Sequence, residues 1–170
     1  ARAYLKGKGV EKDESKAAEL YQKAAEQGCQ SSQFYLGTMY LEGKGVANNG
    51  ALAETWYRKA ADQGMEEAQT NLAIMYRQGC GVHRNDFLAF AYNLKAAAQG
   101  HAHAQYNLAI MYGAGEGVGR SDVSAAKWFR LAAFQGDSKA QSNLGIMYMN
   151  GQGVPQDYVT AVGWYRKAAD

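Results

Sequence analysis

The phrase Gly-x-Gly-Val recurs at Gly7-Lys8-Gly9-Val10, Gly43-Lys44-Gly45-Val46, Gly79-Cys80-Gly81-Val82, Gly115-Glu116-Gly117-Val118 and Gly151-Gln152-Gly153-Val154, always 36 residues apart. A second phrase keeps the same step: Lys23-Ala24-Ala25-Glu26-Gln27-Gly28, then Lys59 to Gly64, Lys95 to Gly100, the variant Leu131 to Gly136, and Lys167-Ala168-Ala169-Asp170. A strict period of this size means stacked supersecondary units, because one such unit cannot bury its own apolar face. The chain therefore reads as a single array over 1–170, with a partial first repeat at 1–28 and further repeats at 29–64, 65–100, 101–136 and 137–170. Twenty glycines against one proline, Pro155, fit a turn that is used again and again.

Within a repeat, the stretch before each Gly-x-Gly carries Ala68, Leu72, Ile74, Met75 and Tyr76, then Ala104, Leu108, Ile110, Met111 and Tyr112, at the spacing of a helix face. This is helix A. After the turn, one frame position is held by Asp13, Asn49, Asn85, Ser121 and Asp157, all side chains that accept from the free amides of a first helical turn. Helix B starts there, shows Ala53, Trp56, Tyr57 and Ala60 or Ala125, Trp128, Phe129 and Ala132 as its apolar stripe, and ends at Gln-Gly. Ala17, Ala53, Ala89, Ala125 and Ala161 in helix B, with Gly37, Ala73, Ala109 and Gly145 in helix A, leave room for close helix approach.

The stretch Ala104-Gln105-Tyr106-Asn107-Leu108-Ala109-Ile110-Met111-Tyr112, the Gly-x-Gly-Val turn and Trp164-Tyr165-Arg166-Lys167-Ala168-Ala169 together resemble the Sel1-like repeat family, relatives of the tetratricopeptide repeats. A tetratricopeptide array has a period of about 34 residues, and the longer period with a glycine-bearing A-to-B loop separates the two. The resemblance runs the whole length of the chain. It implies an all-α fold, a right-handed α-solenoid of antiparallel helix pairs, and an adaptor or assembly role through a protein or peptide partner. It also points to a bacterial envelope or secreted setting. Cysteine-rich relatives bring a second expectation, cell-wall or glycan binding or weak hydrolase chemistry.

The remaining motifs have structural explanations. Nucleotide loops rich in glycine follow a strand, whereas each copy here joins two helices, so no nucleotide cofactor is expected. His101 and His103 sit in a B-to-A turn and His83 in an A-to-B loop, without a carboxylate at metal spacing, and read as solvated turn histidines rather than metal ligands. Cys29 and Cys80 fall at opposite ends of the helices, on the order of 20 Å apart by helical rise, too far for a bridge. Basic residues late in helix B, such as Lys23, Arg58 and Arg130, offset helix dipoles beside acids such as Glu26 and Asp62, in a chain of net charge +2, and argue no nucleic-acid binding. There is no run of about 18 apolar residues, so no membrane insertion is expected. No nucleophile stands at usable spacing from a base, and the chain is read as a non-enzyme.

Comparing the copies separates positions that keep the fold from positions free to differ. On helix A the varying places include Glu67, His103 and Lys139; Phe34, Thr70 and Tyr106; and Leu41, Arg77 and Met149. Between them lie Thr38, Ile74, Ile110 and Ile146, and steps of 3, 4 and 3 put all four sets on one face. By resemblance to tetratricopeptide arrays this face lines a concave groove, with Asn71, Asn107 and Asn143 beside it. On the fourth helix A, Leu108 should face the core while Tyr106 and Ile110 face the groove, largely in solvent. Ala1 aligns inside helix A and Asp170 with Asp62, so the parent protein is expected to be longer than this stretch.

Overall fold

A computed structural model describes residues 1–169. Asp170, the expected close of the last helix B, lies outside the described residues. Among those described there are ten helices and no strand. The helix A series is α1 (Arg2–Lys6), α3 (Gln30–Glu42), α5 (Glu66–Gln78), α7 (Ala102–Ala114) and α9 (Ser138–Asn150). The helix B series is α2 (Glu14–Glu26), α4 (Gly50–Asp62), α6 (Asp86–Ala98), α8 (Asp122–Phe134) and α10 (Tyr158–Ala169). The chain divides into two compact units, Ala1–Arg84 with α1 to α5 and a second from Asn85 on with α6 to α10. Within each unit every helix packs on the next in sequence.

Each helix B begins where a short polar side chain can satisfy an amide left free by the first turn. The side chains of Asp13, Asn49, Asn85 and Ser121 accept from the backbone N–H groups of Lys16, Leu52, Leu88 and Ser124. The Asp157 carboxylate accepts from the Thr160 hydroxyl and from the amides of Thr160 and Val159, and these bonds, the hydroxyl's first, hold its carboxyl below the usual range. Helix A starts are less uniform. Asp137 and His101 cap α9 and α7 through their side chains, whereas Cys29 and Met65 make no cap bond. His101 is thus not a solvated turn residue: its Nδ1 accepts from Ala104 N at 3.3 Å.

The two glycines of each turn do different work. The first, such as Gly79 at φ 72°, ends helix A in the left-handed region, and the amides of Gly79 and Cys80 both return to the carbonyl of Met75. The second also has positive φ and, in every turn after the first, lies against the start of the helix B before it. A Cβ on Gly117 would stand 2.1 Å from the carbonyl oxygen of Asp86, and one on Gly153 would stand 2.2 Å from that of Asp122. The repeat stacks on its neighbour through a backbone contact that has no room for a side chain.

The core is built from the repeated small and branched positions. Ala17, Ala53, Ala89, Ala125 and Ala161 are all buried, and Leu36, Leu72, Leu108 and Leu144 have no exposed surface. Where helix A carries glycine, helix B presents a tyrosine: a Cβ on Gly37 would come within 2.9 Å of the Tyr57 ring, and one on Gly145 within 3.0 Å of Tyr165. Opposite the smaller Phe129 ring the helix A residue is Ala109, and the two share one cluster.

Four buried glutamines tie successive pairs together. Gln33, Gln69, Gln105 and Gln141 donate through Nε2 to the carbonyls of Ala25, Ala61, Ala97 and Ala133 at 3.1, 3.1, 3.3 and 3.1 Å. Those carbonyls belong to the last turn of the preceding helix B, where no intrahelical amide reaches them. Gln63 and Gln135 then donate to Oε1 of Gln33 and Gln105. Gln105→Leu is expected to cost about 1 kcal/mol, the net worth of one lost hydrogen bond, since the Ala97 carbonyl still accepts from Gly100 N and the Gln135 amide still donates to the Gly100 carbonyl. Urea unfolding would check this, and an unchanged midpoint would mean that water replaces the amide without loss.

Candidate functional site

The expected partner-binding residues come from helix A, and the structure places them unevenly. In the first unit, Phe34, Thr38, Leu41, Asn71, Ile74 and Arg77 are half-buried, and Glu67 is exposed at the start of α5. Thr70 is buried, with its hydroxyl donating to the carbonyl of Glu66 at 2.9 Å. In the second unit, Tyr106, Ile110 and Asn143 are half-buried, while His103, Lys139, Ile146 and Met149 are exposed. Asn107 is buried. The expectation that Tyr106 and Ile110 stand largely in solvent is corrected: both pack against the core cluster of Phe129 and Leu144, and the Tyr106 ring meets Phe129 edge-on at 5.7 Å.

The three asparagines show why a shared position does not give a shared role. Asn71 hydrogen-bonds the Tyr57 hydroxyl, which also lies 2.9 Å from Thr38 Oγ1. Burial raises the Tyr57 pKa and keeps the phenol neutral, with the Thr38 and Asn71 bonds opposing the shift. Asn107 instead turns inward to the buried Asn93, donating to its Oδ1 at 3.5 Å. In the next repeat helix B carries Phe129 at the position of Tyr57 and Asn93, and Asn143 donates back to the carbonyl of Lys139 at 2.8 Å. The residue on helix B decides which way each amide points.

Around Tyr57 the first unit holds a cleft of about 490 Å³ between α3, α4 and α5. Thr38, Leu41, Asn71 and Ile74 line it as expected from the sequence, together with Glu42, Asn48, Gln78 and Cys80, which the sequence reading passed over. The frame had assigned Tyr57 to the core and the loop residues to the turn. Their polar character in a Gly-rich turn was a visible signal, but their convergence with Ile74 depends on packing. Glu42 is paired with Lys44 at 2.6 Å. Asn48 donates to the carbonyl of Leu41 and fixes the turn that forms the cleft's rim.

In the second unit a smaller cavity of about 260 Å³ lies at the B-to-A turn, beside His103, Tyr106, Asp137 and Lys139. Partial desolvation, then the neighbouring His101, lowers the His103 pKa below the usual imidazole value. Among the described residues no three potential metal ligands come together. Cys29 and Cys80 are exposed free thiols, and Ser32 holds the Cys29 thiol below its usual pKa through hydrogen bonds. Among the described residues no helix is long and apolar enough to cross a membrane.

Geometry and sequence agree with known proteins. The chain is similar to the structure of a protective antigen of uropathogenic Escherichia coli with an SLR fold, at TM-score 0.96 and 38% identity over 98% of this chain and 36% of that one. It is similar to a Sel1 repeat protein from Oxalobacter formigenes at TM-score 0.95 and 35% identity, covering 99% of this chain and 69% of the other. Helicobacter pylori cysteine-rich protein B shares the fold at TM-score 0.59 and 24% identity, over 76% of this chain and 92% of that one. The chain thus spans about a third of the length of the E. coli antigen. No curated protein matches it. The Sel1 repeat family model matches residues 1–29, 30–65, 66–101, 102–137 and 138–170, one residue out of step with the boundaries drawn from the glycine phrase, and on that full-length match the chain belongs to the Sel1 repeat family.

Proposed function

We propose that this chain is a non-enzymatic scaffold that holds a peptide or protein partner on its helix A faces, with the cleft of the first unit as the main contact. The observation that supports this reading is the lining of that cleft. Leu41 and Ile74 give it an apolar floor, and Asn71, Asn48 and Gln78 supply neutral donors and acceptors at the edges. A short peptide needs such a surface: apolar anchors for its side chains, and fixed polar groups for its backbone. Glu42 is paired with Lys44 and burial keeps the Tyr57 phenol neutral, which suits recognition better than acid-base chemistry at those two groups.

A photo-crosslinking residue placed at Ile74, with a second placed at the exposed Thr55 of α4 as control, would capture the partner from source-cell extract. Leu41→Asp and Ile74→Asp are then expected to weaken the purified partner about tenfold or more, as loss of hot-spot anchors does. Equal capture from Thr55, or unchanged affinity in both aspartate variants with intact melting, would move the partner off this cleft.

A further inference from the structure

Helix B turns one stripe outward, away from helix A. In the second unit that stripe carries Phe87 and Leu94 on α6, Val123, Leu131 and Phe134 on α8, and Val159 on α10. All are exposed, Phe87 and Phe134 at 69% and Val159 at 84%. The same stripe holds Lys95, Lys127, Arg166 and Lys167, and among the described residues no acid, while the half-buried Arg130 turns its guanidinium to the Tyr148 hydroxyl. The acids of these helices, Asp86 and Asp122, stand in the first turn, and Asp122 pairs with Arg120 at 3.4 Å. In the first unit the corresponding stripe of α2 and α4 is mixed: Lys23, Arg58 and Lys59 against Glu19, Glu26 and Asp62. The same frame positions therefore cancel in one unit and sum to a cationic, apolar surface in the other.

The substitutions that create this surface are local. Lys59 and Lys167 lie over the Trp56 and Trp164 rings at 4.1 and 4.6 Å, shielding them with a charge. At the matching place in the fourth repeat stands Leu131, and where Asp62 or Glu26 would follow stands Phe134, its ring edge-on to Trp164 at 5.4 Å. Phe134 is held in place by that contact and still projects.

We propose that this outer face of α6, α8 and α10 docks on the anionic surface of a lipid bilayer. Isolated aromatic and aliphatic side chains that project between lysines and arginines match a headgroup layer, which accepts each apolar group and attracts each cation. A protein partner would instead need a complementary cleft, and these side chains protrude rather than line one. Docking of this kind is peripheral and needs no membrane-crossing helix. It does not depend on the helix A cleft, which belongs to the other unit.

Sedimentation of the 170-residue chain with vesicles tests the proposal. Binding is expected to vesicles of mixed phosphatidylglycerol and phosphatidylcholine, to weaken as salt is raised, and to be much poorer to phosphatidylcholine alone. The double variant Leu131→Lys, Phe134→Asp keeps the net charge and installs the residue types found at Lys59 and Asp62, so it retains the fold. It is expected to bind about tenfold more weakly. Lys127→Glu with Lys167→Glu should lose about tenfold or more. No preference for the anionic vesicles, or unchanged binding by the Leu131, Phe134 variant, would overturn the proposal. So would tight binding of an acidic amphipathic peptide by a chain that leaves vesicles unbound.

Discussion

Gly117→Ala is expected to destabilise the second unit by roughly 2 to 5 kcal/mol, combining left-handed strain with a backbone clash. The φ of Gly117 is 69°, a region that alanine occupies at a cost, and the new methyl carbon would sit 2.1 Å from the Asp86 carbonyl oxygen. The atom it meets is backbone at the first turn of α6, so no rotamer change relieves the contact. Two other glycines divide the effect into its parts. Gly136→Ala meets nothing within 4 Å but has φ 89°, so it should show strain alone, about 1 to 2 kcal/mol. Gly119→Ala meets nothing within 4 Å and has no positive φ, so it should be near neutral. Chemical denaturation of the three variants checks the order. Equal losses at Gly117 and Gly136 would mean that the turn shifts to admit the methyl group.

Leu108→Ala should cost roughly 2 to 5 kcal/mol, the range for removing a fully buried leucine. Leu108 has no exposed surface and lies with Ala96, Ala97 and Ala104, flanked by Phe90 and Trp128. Its small neighbours cannot swing inward to fill the void, which places the loss toward the upper end. Ile110→Ser, two residues on, is half-buried and should cost about 1 kcal/mol. Tyr106→Ala will not be as cheap as an exposed residue, because the ring packs on Phe129. Thermal melts separate these cases, and a Leu108→Ala variant no less stable than Ile110→Ser would contradict the assignment of the core face.

The stacking logic was legible because it repeats. Leu36, Leu72, Leu108 and Leu144 are constant in the sequence and all lack exposed surface. The five helix B caps were legible for the same reason, since only a short polar side chain can serve a first turn. Of the candidate site only the set of helix A positions was legible. The sequence could not show that Thr70 and Asn107 are buried, because whether a half-turned position sees solvent depends on the residue opposite.

By itself the sequence determined the family, the all-helical repeat, the start of each helix B, the glycine stop of each helix A, and the leucine and alanine positions of the core. These follow from local rules, capping, left-handed glycine and helical periodicity, that act the same way in every copy. Only the tertiary structure decided the direction of Asn71, Asn107 and Asn143, which depends on Tyr57 or Asn93 across the helix pair. Packing alone brought Glu42, Asn48 and Gln78 to Leu41 and Ile74 in one cleft. It likewise set the outward row of Phe87, Leu131 and Phe134 beside Lys127 and Lys167. These features are pairings between residues far apart in sequence, and a period fixes each residue's place in its own repeat without fixing what its neighbour in the next one will be.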